Sequence, residues 1–219
     1  MISHTEENYL KAIFKIAERE NKTASTNSIA AILNTSAASV SDMLKRLSEK
    51  KLINYKKYKG VTLTSEGNII ATRLVRKHRL WEVFLVNKLK FSWDQVHEIA
   101  EQLEHIHSPE LISRLDNFLD NPKFDPHGDP IPNAEGKFTL RNQHPLSDLH
   151  INETSVVIGV KEHDTSFLQY LNSISIKLGT AIKIISTVKY DNSMEIIVDG
   201  NNSLQISHQV AQNLLVKRV

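Results

Sequence analysis

Residues 76–107 read RKHRLWEVFLVNKLKFSWDQVHEIAEQLEHIH, and the parsing of this stretch decides the fold. The spacing predicts two helices with a short break near residues 91–94. In the first, His78 and Glu82 stand four apart and project from one face. In the second, His97, Glu101, Glu104 and His105 fall at roughly 0, 40, −20 and 80 degrees, at about 3.6 residues per turn. Ile99, Ala100, Leu103 and Ile106 take the opposite side. One face therefore packs on a core, while the other gathers carboxylates and imidazoles, which suit Mn, Fe, Co, Ni or Zn. An ordinary surface helix also shows a polar stripe opposite an apolar one, so this face by itself leaves both readings open.

Composition and charge narrow the choice. The chain has 219 residues and no cysteine, which excludes disulfide frameworks, zinc ribbons and iron–sulfur ligation. No apolar run is long enough to span a bilayer, and the N-terminus lacks a secretion signal, so a cytoplasmic protein is expected. The net charge of +2 hides a division. Residues 1–79 hold 15 Lys/Arg against 7 Asp/Glu, whereas residues 80–145 hold 6 against 11 and residues 146–219 hold 6 against 7. A basic first third suits a polyanion, and an acidic middle third suits cations.

Before the deciding stretch, residues 5–20 form a helix with Tyr9, Leu10, Ile13, Phe14, Ile16 and Ala17 inward. Ser25 or Thr26 caps a second helix with Ile29, Ala30 and Leu33 inward; Asn34-Thr35 turns; Ser36 caps a third that runs to about Lys50, burying Val40, Met43, Leu44 and Leu47. Two short helices across a tight turn are a helix-turn-helix. The second begins with small and hydroxylated residues, Ser36, Ala38, Ser39 and Ser41, beside Asp42, and Lys45 follows; Thr26 and Asn27 open the helix before it. Residues 52–55 and 61–64 read as a hairpin with Lys56, Lys57 and Lys59 at its tip. The order makes this a winged helix, with lysines placed for the phosphate backbone.

After the deciding stretch, all six prolines fall between 109 and 145, which marks a stiffened connector. His127 lies in it, where a histidine is more often solvated than ligating. From about 145, strands are expected at 155–160, 182–188, 194–198, 203–206 and 214–219, with a helix at 165–178, so a small barrel follows. Glu162, His163 and Asp164 precede that helix, where capping is the simpler role. The partition is 1–72 for the winged helix, 73–140 for the helical domain with its connector, and 145–219 for the barrel. The class is α+β and multidomain.

Taken together, TEENYLKAIFKI, LTSEG after the wing, RKHRLWEVFL, VHEIAEQLEH and DPHGDPIP resemble the diphtheria-toxin-repressor family of metal-dependent transcriptional regulators, over the whole chain. The pattern is most similar to the manganese-responsive three-domain branch, whose third domain is SH3-like. The resemblance implies two metal sites: Asn8, Glu101, Glu104 and His105 in one, and His78, Glu82, His97 and Asp164 in the other. Iron-type members carry cysteine at the position of Glu101, so glutamate here favours Mn(II), or Fe(II) as a second hard ion. Zn(II), Co(II) or Ni(II) would also enter such a site in vitro. Manganese-type members carry aspartate where this chain has Asn8, whose amide oxygen ligates without charge. The implied function is a homodimeric repressor on double-stranded, palindromic operator DNA of metal-homeostasis genes, with no enzymatic activity, small-molecule substrate or membrane. Two rivals are a winged-helix regulator of a non-metal signal and a metal-dependent hydrolase. The hydrolase lacks an HExxH pattern and has no use for a basic wing.

Overall fold

The structure, a computed structural model, describes residues 2–20, 23–56 and 60–219. The chain packs as two compact units. One comprises Met1–His78, Gln102–Pro109 and Pro132–Phe138; the other comprises Arg79–Glu101, Glu110–Ile131 and Thr139–Val219.

The first unit opens with α1 (His4–Glu20), α2 (Thr26–Ile32) and α3 (Ala37–Glu49). Ser25 caps α2 through a reciprocal pair with Ser28, and Ser36 caps α3 by accepting from Ser39 N. Asn34 turns the chain between them at φ 47, a left-handed position that asparagine tolerates. Leu10, Ile13, Ile29, Leu44 and Leu47 are fully buried and hold the three helices together; Met43 is only half-buried. The wing follows as β1 (Ile53–Lys56) and β2 (Gly60–Leu63), antiparallel with Ile53 opposite Leu63. Ala24 exchanges two backbone hydrogen bonds with Val61 and adds a short third edge. Lys57, Tyr58 and Lys59, at the wing tip, lie outside the described residues. Helix α4 (Ser65–Asn87) begins against the wing, where a Cβ on Gly67 would stand 2.0 Å from the Leu52 carbonyl oxygen, so only glycine fits.

The second unit takes the rest of α4, then α5 (His97–Leu103, whose last two residues pack with the first unit) and α6 (Pro109–Phe118). The break between α4 and α5 spans residues 88–96, longer than the spacing suggests. Lys90 takes a left-handed turn, and the chain then carries Trp93 into the core of the second unit, its indole N–H donating to Asn172 Oδ1 at 2.8 Å. Helix α5 stops at Leu103, so Glu104 and His105 sit in the turn after it.

The barrel region contains β3 (His144–Pro145), β4 (Thr154–Val160), α7 (Thr165–Ser173), β5 (Ala181–Thr187), β6 (Met194–Val198), β7 (Asn202–Ile206), α8 (His208–Asn213) and β8 (Leu214–Arg218). The strands form one antiparallel sheet in the order β3-β8-β4-β5-β6-β7. Register shifts at Val157/Gly159 and Ile184/Ser186 are the bulges that let so small a sheet curl around its core. Helix α7 ends five residues before the expected boundary, because Ser175 turns left-handed (φ 60) and the chain then buries Ile176. Helix α8 and the two-residue β3 are too short to leave a periodic signal.

Candidate metal centres and nucleic-acid interface

The buried polar groups of the first unit centre on Glu104, which has no exposure. Its Oε2 accepts from Lys11 Nζ at 2.6 Å and lies 2.6 Å from His78 Nδ1. A proton on that Nδ1 places the imidazole lone pair on Nε2, the arrangement in which a carboxylate orients a ligand histidine. The other oxygen, Glu104 Oε1, is buried without a hydrogen-bond partner, and so is Asn8 Oδ1 on α1. Buried oxygens without donors are costly, and a cation satisfies them directly. His105 approaches from the same turn, its Nε2 3.9 Å from Glu104 Oε1 and its Nδ1 2.6 Å from Glu7 Oε2. Glu7 is buried one residue from Asn8, so a charged oxygen stands beside the neutral amide.

The second unit carries a separate cluster, Glu82, Asp125 and His127, with one ligand atom from each within 4.8 Å of the others and all three residues buried. The connector builds it. Asp125 Oδ1 accepts from His127 N and Asp129 N, both at 2.9 Å, which locks the DPHGD loop. Gly128, at φ +92, lies so near the Ile158 carbonyl and Gly159 that a Cβ would clash. Arg141 ties the same loop to β4 by donating to Gly128 O and Ile158 O. His127 Nε2 donates to Trp93 O at 2.8 Å, so in the neutral ring Nδ1 holds the lone pair; it points 3.7 Å from Glu82 Oε2 and has no hydrogen-bond partner.

Charge is concentrated at this cluster. Burial, with Asp129 and Glu82 nearby, pushes the Asp125 carboxyl up to about 7. Burial opposes a charged His127 ring, but the carboxylates of Glu82 and Asp125 outweigh it and push His127 up to about 9. Arg79 partly compensates, 3.6 Å from Asp125 Oδ2 and 3.0 Å from Asp129 Oδ2. His163 stacks on His127 with ring centroids 4.8 Å apart. His97 joins from α5, 3.4 Å from Glu82 Oε1 and 3.6 Å from Glu101 Oε1.

Of the eight metal ligands expected, Asn8, His78, Glu104 and His105 pack in the first unit, and Glu82, His97, Glu101 and Asp164 in the second. Asp164 caps α7, accepting from Ser166 N and Phe167 N, and stands exposed. Asp125 and Lys11 fall outside the expected ligands, and His127, expected to be a solvated loop residue, is instead 1% exposed. The available signal was density of function, since DPHGD places two acids and a histidine within five residues next to a glycine.

On the DNA side, Asn27, Ser36, Ala38, Ser39, Asp42, Lys45 and Lys56 are exposed, while Thr26 and Ser41 are half-buried. Ser36 and Ser39 are partly committed to capping, and Ser41 Oγ donates to Ala37 O at 2.8 Å. Lys45 pairs with Asp42 at 3.1 Å in full solvent, a contact easily exchanged for a phosphate. Lys57 and Lys59 fall outside the described residues.

Known proteins match throughout. Residues 1–61 match the family described as iron dependent repressor, N-terminal DNA binding domain; residues 64–133 match iron dependent repressor, metal binding and dimerisation domain; residues 144–218 match the FeoA domain. A solved manganese-dependent transcriptional repressor in complex with manganese is 32% identical, with a TM-score of 0.87, covering 98% of this chain and 100% of its own. The manganese regulator SloR is 33% identical, with a TM-score of 0.76 and 98% of each chain covered. The diphtheria toxin repressor of Corynebacterium glutamicum is 26% identical over 98% of this chain and 96% of its own. Among the described residues, no helix is long and apolar enough to cross a membrane.

Proposed function

Because the chain belongs to the iron-dependent repressor family that includes the diphtheria toxin repressor, and is thus a metal-dependent transcriptional repressor and not an enzyme, we propose that it is a cytoplasmic, manganese-responsive member with two kinds of metal site. One set is Asn8, Glu104 and His105, to which the family resemblance adds Glu101. The other is Glu82, Asp125 and His127, with His97 beside them; the resemblance adds His78 and Asp164. The observation that carries this reading is that ligand-type atoms in both sets, Asn8 Oδ1, Glu104 Oε1 and His127 Nδ1, are buried without hydrogen-bond partners.

A divalent cation supplies the positive charge that these oxygens and imidazole nitrogens lack. The donors are oxygen and nitrogen with no thiolate, which supports Mn(II), with Fe(II) next and Zn(II), Co(II) or Ni(II) as in vitro substitutes. In the first set, Asn8 belongs to α1, and Glu104 and His105 to the turn after α5. Joining them restrains α1, against which α2 packs. Metal dependence follows if this donor set is complete only in the DNA-competent arrangement. The exposed start of α3 then enters the major groove, and Lys45 and the wing lysines meet phosphates. We propose a homodimer on a palindromic operator, supported by the dimerisation-domain match and by exposed Leu111 and Phe118 on α6.

Calorimetric titration with Mn(II) tests the assignment. Wild type should show two classes of site, Glu104→Ala should lose one and Glu82→Ala the other. Unchanged titrations for both variants would refute it.

A further inference from the structure

Lys11 has the chemistry of a ligand's opponent and sits among ligands. It lies on α1 three residues after Asn8 and four after Glu7, so the three share a face. Its residue is 3% exposed, and its ammonium lies inside: Nζ is 2.6 Å from Glu104 Oε2 and 3.2 Å from His78 Nδ1. Glu104 is 0% exposed and His78 4%. The carboxylate is thus divided, with Oε2 held by Lys11 and His78 and Oε1 left without a partner toward His105. Packing alone does not call for this residue, because a methionine would fill the same space without placing a charge in the interior.

We propose that Lys11 is a tethered cation that holds the inner oxygen of Glu104, leaves only Oε1 to a divalent ion, and sets the metal affinity of the first site by repelling that ion. This rests on the reading of Glu104 as a ligand. In the metal-free chain the ammonium balances a carboxylate that burial would otherwise make costly. With metal present, two cations share one carboxylate, and affinity falls below what the donors alone would give. The lysine thereby acts as a threshold: the site fills only where metal is plentiful enough to bind against it.

Three variants test this in the full-length chain. Lys11→Met should bind Mn(II) at the first site at least about tenfold more tightly than wild type by calorimetry, a gain equal to about 1.4 kcal/mol. Its metal-free form should melt lower, and its rise in Tm on adding Mn(II) should exceed that of wild type. Lys11→Arg, which keeps the charge, should show no such gain in affinity. The metal-free double variant Lys11→Met/Glu104→Gln should recover the Tm lost by Lys11→Met, since the buried side chain that Lys11 faces then carries no charge. If Lys11→Met is too unstable to titrate, Lys11→Gln carries the affinity measurement. Mn(II) binding that is unchanged or weaker in Lys11→Met, or a Tm loss that Glu104→Gln does not restore, would overturn the inference. A wild type that binds no Mn(II) overturns the proposed function and the metal half of this inference, while the double variant still reports the pairing.

Discussion

Asn8 is the residue at which the sequence departs from its resemblance, and the structure gives the departure a physical meaning. Its amide oxygen is buried and unpartnered, as a ligand atom would be, but it carries no charge. Asn8→Asp should therefore tighten Mn(II) binding at the first site by about tenfold or more. The metal-free protein should lose stability, because the new carboxylate joins those of Glu7 and Glu104. Calorimetry and apo-state melting read both; a weaker Mn(II) affinity in Asn8→Asp would show that this atom does not face the ion. The second set makes a pH prediction. Metal requires His127 neutral and Asp125 ionised, yet both hold their protons unusually high, to about 9 and about 7. Binding there at pH 7 should release protons, and affinity should climb as pH rises from about 6 to about 9. Calorimetry in buffers of different ionisation enthalpy counts the protons; no buffer dependence would contradict the assignment. At this scale the sequence offers candidates where ligand-type residues repeat at helical spacing, as with His78/Glu82 and His97/Glu101. It was not legible for Asp125 and His127, whose burial depends on Trp93 and Arg141, distant in sequence, nor for Lys11, which reads as one more cation on a helix of mixed charge.

The elements themselves were written plainly in caps and periodicity. Ser25, Asn34 and Ser36 set the helix-turn-helix to within a residue, because each acts through its own backbone neighbours. Boundaries failed where tertiary burial pulled the chain off its local path: Trp93 lengthened the break before α5, and Ile176 shortened α7. Gly67 joins the two kinds of information. Alanine there would gain up to about 1 kcal/mol in helix propensity. It would also drive a Cβ to 2.0 Å from Leu52 O, backbone against backbone. The clash should win, so Gly67→Ala should unfold at lower denaturant and lose DNA affinity as α4 shifts off the wing. Equal or greater stability would show that the approach relaxes freely. For comparison, Leu44→Ala, at a fully buried position of α3, should cost about 2–5 kcal/mol by the same measurement.

Across the whole molecule, the charge division seen in the sequence acquires positions. The basic first third carries the exposed face of α2, α3 and the wing, and the acidic middle third supplies Glu82, Glu101, Glu104 and Asp125. The family's architecture was readable because each region has its own texture: capped helices, then helices rich in carboxylates and imidazoles, then a proline run, then short strands. Contacts with phosphates should make DNA affinity fall steeply with salt, in proportion to the lysines and arginines engaged. Metal should govern this affinity, which is tested by binding of the full chain to its own promoter DNA at fixed salt, with Mn(II) and with a chelator in its place. Binding should be tight with Mn(II), should be lost with chelator, and should gain nothing from Mn(II) in Glu104→Ala. Binding of equal strength with Mn(II) and with chelator would leave the winged helix in place and contradict the metal switch.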